Sequence, residues 1–119
     1  MSKVLQAMKA NQAQIVEWFE HMHRNPELSM QEEKTAEYIA NLVRQWGYDV
    51  ATGVGKYGVV ASLTVGDGKK AIGLRADFDA LPIQEENDLG YKSTVPGVSH
   101  LCGHDGHTAM LLAAGEYLA

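Results

Sequence analysis

The sequence lacks several features that would place it in common classes of protein. It has a single cysteine, so no intrachain disulfide can form, and a free thiol is typical of a reducing compartment such as the cytoplasm. The formal net charge is -5 over 119 residues, so no basic face is expected to bind nucleic acid. No apolar run is long enough to span a membrane, and residues 1–10 have no signal-peptide core. We therefore expect a cytoplasmic protein with neither a nucleic acid nor a membrane as its partner.

The one cysteine lies in a segment that also holds three of the five histidines, Ser-His-Leu-Cys-Gly-His-Asp-Gly-His over residues 99–107. Cys102 and His104 are two positions apart, so an extended segment would turn both side chains to one face. Asp77 and Asp79 have the same spacing at the end of an apolar stretch, where a carboxylate is costly unless it is paired or binds a metal. Together these thiol, imidazole and carboxylate groups indicate a hydrolytic centre with zinc, manganese or cobalt.

On the residues alone, other interpretations of the two clusters stay open. The histidines and Cys102 could form a structural zinc site, although the ligands of such sites usually have wider spacing. Cys102 could instead be a thiol nucleophile that a neighbouring histidine activates. Asp77 or Asp79 could form an ion pair with Arg75. An open hydrolytic site that uses Cys102 and His104 accounts for both clusters, and we favour it.

The hydrophobic periodicity predicts an α/β fold: two N-terminal helices packed on a mixed sheet with a hairpin, followed by a C-terminal helix. The first helix is predicted over residues 3–22, because the residue before Pro26 avoids helical geometry. The second is predicted to begin at Ser29, in a capping box with Glu32, and to end at Gly47.

Strands are predicted over residues 48–52, 59–65 and 69–75, with a hairpin turn at 66–68 and a loop over 76–99. A G-x-G-x-x-G match over residues 53–58 precedes a strand rather than a helix, so we interpret its glycines as turn formers.

The last helix is predicted from about His107 to the end of the chain. Residues 109–118 are apolar on nearly every side, which predicts burial; because nothing follows to cover them, we expect a truncated domain.

The remaining titratable residues are interpreted as solvated surface groups. His21 and His23 lie at the end of the first predicted helix, and Glu85, Glu86 and Asp88 lie in the loop. None of them is predicted to belong to a site.

Three motifs together resemble a known family: His-Arg-Asn-Pro-Glu-Leu-Ser over residues 23–29, Leu-Arg-Ala-Asp-Phe-Asp-Ala-Leu-Pro-Ile over 74–83, and Cys-Gly-His-Asp-Gly-His-Thr-Ala-Met over 102–110. They resemble the amidohydrolase branch of the aminoacylase-type dinuclear metallopeptidases. This branch includes hippurate hydrolases, N-acyl-amino-acid amidohydrolases and hydrolases of indole-acetyl-amino-acid conjugates. The resemblance implies part of a metallopeptidase catalytic domain that uses two divalent ions, of manganese, zinc or cobalt, to cleave a small-molecule N-acyl-amino-acid substrate.

The resemblance also implies a role for each matching residue. Cys102 and His104 are carried over as metal ligands, and Asp79 as the catalytic aspartate that supports the metal centre. Asp77 is its nearby partner, and His107 stabilises the start of the helix or supports the ligands from outside their shell.

Members of this family continue with an adjacent Glu-Glu pair, two further histidine ligands and a dimerisation domain. One glutamate of the pair is the general base. The resemblance thus implies that residues 1–119 are the N-terminal part of the catalytic domain of a homodimeric parent, and that they are inactive alone. The alternative is a non-catalytic metal-binding or interaction module.

Overall fold

The computed structural model describes residues 2–119, which form an α/β arrangement of four helices and a two-stranded sheet. The helices are α1 (Lys3–Ala10), α2 (Gln12–Arg24), α3 (Glu33–Gln45) and α4 (His104–Leu118), and the strands are β1 (Asp49–Val54) and β2 (Gly58–Ser62). The predicted α/β class is confirmed. Among these residues, no helix has the length and apolar character needed to cross a membrane.

The first predicted helix is divided into two at Asn11. The backbone of this residue leaves helical geometry, and its side-chain amide donates a hydrogen bond to Glu116 on α4. Asparagine favours such breaks because its side chain competes with the backbone for hydrogen bonds. The helix α1 buries none of its residues, whereas α2 buries Trp18 and Met22 against α4 and extends to Arg24.

The capping box predicted at the start of the second helix is not formed. The helix α3 begins at Glu33, and Ser29 lies in a turn before it. Glu32 accepts a hydrogen bond from the backbone of Met30, at 2.8 Å, rather than reaching back to Ser29. Met30 adopts a positive φ of 65°, a conformation that a helical start at Ser29 would not allow.

Glu27 caps α3 in place of Ser29. Its carboxylate accepts hydrogen bonds from the backbone N–H of Lys34 at 3.2 Å and from the backbone N–H and the hydroxyl of Thr35, each at 2.6 Å. These backbone donors belong to the first turn, where no carbonyl of the helix is available to them. A residue six positions before the helix therefore satisfies its free amides.

The sheet is an antiparallel hairpin and not the predicted mixed sheet. Strand β1 pairs with β2 in the register Val50 to Ala61, and residues 55–57 form the turn between them. Gly55, with a φ of 58° that glycine reaches without steric cost, lies in the turn as predicted. Gly53, with a φ of 73°, lies instead within β1, where the register shifts between Ala51 and Val54, and Gly58 begins β2.

The predicted third strand, residues 69–75, is not paired with any described residue. Ile72 is 82% exposed and Leu74 is 52% exposed, so this segment lies on the surface. A strand forms only where a neighbour satisfies its backbone groups, and the hairpin closes at residues 55–57 instead of the predicted 66–68. Residues 66 and 67 form a turn without flanking strands.

The core lies where α2 and α3 meet α4. Its fully buried members are Trp18, Met22, Ile39, Val43, Ala109, Leu112 and Ala113. The helix α4 begins at His104 rather than His107, and it buries one face only: Met110 is 62% exposed and Leu118 is 52% exposed. No described residue covers the outer face of α4, as expected for a helix that nothing follows in this sequence.

Two isolated bridges fix the loop over residues 76–99: one joins it to the segment before α3, and the other joins its two ends. Ala80 donates its N–H to the carbonyl of Glu27 at 2.8 Å, and Leu81 exchanges two backbone hydrogen bonds with Ser99 at 2.9 and 3.0 Å. These contacts fix the segment before Ala80, which contains both aspartates, beside the start of α4.

We expect Glu27→Ala to lower the free energy of unfolding by about 1–2 kcal/mol, because it removes three hydrogen bonds at the start of α3. Ser29→Ala is the matched control and should change it by less than about 0.5 kcal/mol. Urea unfolding followed by circular dichroism measures both values. A larger loss for Ser29→Ala would show that the serine caps the helix.

Candidate metal centre

Asp77, Asp79 and His104 converge at one place on the surface. One ligand atom of each lies within 4.8 Å of those of the other two, and all three residues are half-buried. The two aspartates are spaced by two in a segment without regular secondary structure, and the carboxylates of both reach this place. His104 occupies the first position of α4 and meets them from the helix. The structure thus brings together the two clusters that the sequence singled out.

Asp79 holds the imidazole ring of His104. The Nδ1 atom lies 3.0 Å from the backbone carbonyl oxygen of Asp79 and 2.8 Å from its Oδ1. Because a carbonyl oxygen only accepts, Nδ1 carries the proton and donates to both oxygens. In the neutral ring, Nε2 then keeps its lone pair, and this is the tautomer that presents a nitrogen to a metal ion.

Asp77 contacts Arg75 through its side chain and Thr108 through its backbone. Its Oδ1 lies 2.7 Å from Nη1 of Arg75, so the ion pair considered from the sequence is present, but Arg75 is exposed and such pairs contribute little. Its backbone carbonyl accepts a hydrogen bond of 2.7 Å from the hydroxyl of Thr108, which is buried on α4. The helix and the aspartate segment are therefore joined directly beside the carboxylates.

Cys102 lies outside this three-residue group, and its thiol is exposed. The segment that contains it is not extended as the prediction assumed, because it bends into α4 at Gly103, whose φ is 102°. His107 is exposed, and its ring centroid lies 6.1 Å from that of His104, one turn away on α4. The ring of His107 lies close to the backbone at Gly103, since a Cβ atom placed on this glycine would be 3.8 Å from Nε2 of His107.

The donor set fits a borderline divalent cation. Two carboxylates, an imidazole with a free Nε2 and a nearby thiol are ligands that zinc, manganese and cobalt accept. A groove of about 330 Å³ runs along Asp77 and Asp79, with Met30 and Tyr57 on its walls. The carboxylates are therefore accessible to an ion and to a small molecule.

A second cluster, His23 with Glu85 and Asp105, was missed by the sequence interpretation. His23 and Glu85, predicted as surface groups, are only 6% and 1% exposed, and Asp105 is 2% exposed. Nδ1 of His23 lies 2.7 Å from Asp105, and Nε2 lies 2.8 Å from Glu85. The partners are 82 and 62 residues away from His23, so no local pattern could reveal them. The only feature of the sequence that pointed to this cluster is that His23 and Asp105 both lie within the motifs that carry the family resemblance.

The charges of this cluster stabilise one another. Burial acts to lower the pKa of His23, but hydrogen bonds and charge from Asp105 and Glu85 outweigh it and raise the pKa. Burial acts to raise the pKa of Glu85, but hydrogen bonds from the Ser93 N–H and His23 lower it overall. His23 is thus an imidazolium between carboxylates. With both ring nitrogens occupied, it is neither a metal ligand nor a general base.

His100 is a third buried histidine, in the segment that leads into α4. It is 4% exposed, and its Nε2 has no hydrogen-bond partner among residues 2–119. Burial is the main cause that lowers the pKa of His100; the charges of His23 and His104 lower it as well, while those of Asp105 and Asp79 act to raise it. The ring of His100 is therefore favoured in its neutral form.

The His23 cluster predicts a pH dependence of stability. A raised pKa means that the contribution of His23 is fully present below its ordinary value near 6.5 and is lost as the pH rises through the higher value of the folded state. The difference in Tm between wild type and His23→Gln should therefore be largest below pH 6.5 and shrink at higher pH. Thermal melts across this range measure it.

His21→Gln is the matched control, two residues earlier on α2. Burial and the charge of Arg24 lower the pKa of His21, so its contribution should grow rather than shrink as the pH rises. A Tm difference for His23→Gln that also grows with pH would contradict the charged imidazolium.

A histidine oriented by an aspartate beside further carboxylates is the arrangement of a metal-dependent hydrolase. The sequence profile of peptidase family M20/M25/M40 matches residues 73–119. Over 98 residues the chain is 52% identical to the hippurate hydrolase of Campylobacter jejuni, an alignment that covers 82% of this chain and 26% of that protein. Over 102 residues it is 45% identical to the N-acyl-L-amino acid amidohydrolase of Geobacillus stearothermophilus, covering 86% of this chain and 28% of that protein.

The crystal structure of the YXEP protein of Bacillus subtilis, described as a dinuclear metal binding peptidase from the M20 family, is also similar. It matches with a TM-score of 0.87 and 35% identity, over 92% of this chain and 31% of that one. The chain therefore matches peptidase family M20/M25/M40 over residues 73–119, and the resemblance drawn from its motifs is confirmed. It spans 26% to 28% of the length of the two curated relatives.

Proposed function

We propose that this chain supplies one side of the dinuclear metal centre of an amidohydrolase that cleaves N-acyl-amino acids. The observation that carries the proposal is the pair of hydrogen bonds from Nδ1 of His104 to Asp79, which leaves Nε2 for a metal beside the carboxylate of Asp77. The names of the relatives, a hippurate hydrolase and an N-acyl-L-amino acid amidohydrolase, support the substrate class. The metals we propose are manganese, zinc or cobalt, in keeping with the donor set.

Each residue has a distinct role in this proposal. His104 binds metal through Nε2 and Cys102 through its thiolate, while Asp79 holds the ring of His104 in the required tautomer. Asp77 contributes negative charge beside them, and His107 supports the first turn of α4. When bound, the two ions supply a water of lowered pKa and polarise the amide carbonyl of the substrate.

None of the three carboxylates that line the groove is free to act as the general base. Asp79 is engaged by His104, and Asp77 by Arg75. Glu32, which lines the groove, accepts a hydrogen bond from the backbone of Met30. We therefore propose that residues 1–119 are the N-terminal part of a catalytic domain, and that the general base and the remaining ligands belong to other parts of the functional enzyme.

The proposal also covers the cellular compartment, the substrate and the oligomeric state of the enzyme. A thiolate ligand at Cys102 requires a reducing environment, which favours the cytoplasm. The partner is a small-molecule substrate that reaches the carboxylates through the groove. A homodimeric parent is proposed from the family resemblance.

The first test concerns the ligands. We expect the chain to bind Co²⁺ weakly, because two ligands leave the coordination shell incomplete, with a thiolate absorption band that Cys102→Ser removes. His104→Ala should also reduce the affinity for Co²⁺. His107→Gln, one turn along α4, is the matched control and should retain the wild-type affinity. Optical titration measures the affinity of wild type, the three single variants and the Cys102→Ser/His104→Ala double variant. Unchanged affinity in the Cys102→Ser/His104→Ala double variant would refute the ligand assignment.

The second test concerns turnover. The chain alone should hydrolyse hippurate at no more than the background rate. In a chimera, the chain replaces the matching segment of the Campylobacter jejuni hippurate hydrolase, and this protein should be active with Mn²⁺, Zn²⁺ or Co²⁺ and inactive with a chelator. Asp79→Asn in the chimera should keep a cooperative melt and lower kcat/KM by about 10–100-fold, because the His104 ring loses its carboxylate partner.

The outcomes separate this proposal from its alternatives. Near-normal turnover by Asp79→Asn would remove that residue from the site. Chelator-resistant turnover by the chain alone, abolished by alkylation of Cys102, would show a thiol hydrolase instead. A chimera that binds metal and folds but never hydrolyses N-acyl-amino acids would favour the non-catalytic metal-binding module.

A further inference from the structure

The buried cluster of His23, Glu85 and Asp105 lies directly behind the candidate metal centre. Asp105 follows His104 in the first turn of α4, and consecutive residues of a helix point about 100° apart. His104 therefore faces Asp79 on the surface while Asp105 faces His23 in the interior. The same helical turn is held from both sides.

The cluster joins three separate parts of the chain. His23 lies at the end of α2, Glu85 in the loop after the aspartate segment, and Asp105 at the start of α4. Glu85 is further fixed by the backbone N–H of Ser93, at 2.7 Å. Movement of α4 along or about its axis would break the 2.7 Å contact between His23 and Asp105.

Stability alone does not account for this cluster. Charged groups that are almost completely buried lose their hydration, and apolar side chains of the same volume are often at least as stabilising. What charged hydrogen bonds add over apolar packing is direction, because they require particular atoms at particular distances. The cluster specifies the rotation of the helical turn that carries His104.

We propose that His23 is a positioning residue for the metal centre: through Asp105 it sets the orientation of His104 so that Nδ1 meets Asp79 and Nε2 is presented to the metal. The purpose of this positioning depends on the proposed metal-binding function, but the orientation of the His104 ring can be observed without any metal.

The test is His23→Gln in the full chain, with two readouts. The first is the tautomer of His104, read from the ¹⁵N chemical shifts of its ring nitrogens in the absence of metal. Wild type should show the Nδ1–H form alone, and His23→Gln a mixture of both tautomers. The second is Co²⁺ affinity by optical titration, which should fall by about 10-fold or more, the usual effect of losing support for a ligand.

Two controls exclude a general loss of stability. His21→Gln changes the same residue type two positions away on α2, where the ring stacks on Tyr38 instead of joining the cluster. Val43→Ala truncates the core on α3 and lowers the melting temperature without touching either cluster. Both should retain the wild-type tautomer and Co²⁺ affinity. If His23→Gln does not fold, Glu85→Gln, which can keep its hydrogen bond to Ser93, replaces it with the same expected shifts.

The outcomes distinguish this inference from the proposed function. If wild type binds Co²⁺ and folded His23→Gln keeps both the tautomer and the affinity, the positioning role is overturned while the metal centre stands. If the tautomer becomes mixed but wild type binds no Co²⁺, the positioning role stands and the proposed metal centre fails. An equal loss of affinity in Val43→Ala would also overturn the positioning role, because it would show that lower stability alone weakens binding.

Discussion

The hydrogen bonds from Nδ1 of His104 to Asp79 are the interaction on which the candidate site depends. They join the start of α4 to the aspartate segment, 25 residues earlier in the chain, and they select one tautomer of the ring. Adjacent contacts keep His104 and Asp79 in place. Thr108 ties the same helix to the backbone of Asp77, and Asp105 ties it to the interior. Without this attachment the carboxylates and the imidazole would be separate surface groups.

The negative charge of the two polar clusters is compensated in different ways. Asp77 and Asp79 concentrate negative charge at a half-buried, accessible place, where a divalent cation is the natural compensation. The buried cluster is compensated internally, since the imidazolium of His23 lies between two carboxylates and needs no ion. This difference explains why one group is suited to binding and the other to support, although both consist of histidine and acidic residues.

The family match and the geometry support each other at the level of the site. The sequence profile covers residues 73–119, which contain Asp77, Asp79, Cys102 and His104, whereas His23 lies outside that range. The relatives extend well beyond the part matched here, since this chain spans 26% to 28% of the two curated proteins. That proportion supports the proposal that the general base and the remaining ligands belong to other parts of the enzyme.

The sequence by itself determined the α/β class, the loop before α4, the family resemblance, and the residues whose chemistry suits a metal, because ligand types and motifs are local properties of the chain. It did not determine where Asn11 would break a helix, that Glu27 rather than Ser29 would cap α3, or that residues 69–75 would have no partner strand. Only the tertiary structure decided that His23 is buried between two carboxylates. Hydrogen bonding and burial depend on groups far apart in sequence, whose proximity exists only once the chain has folded.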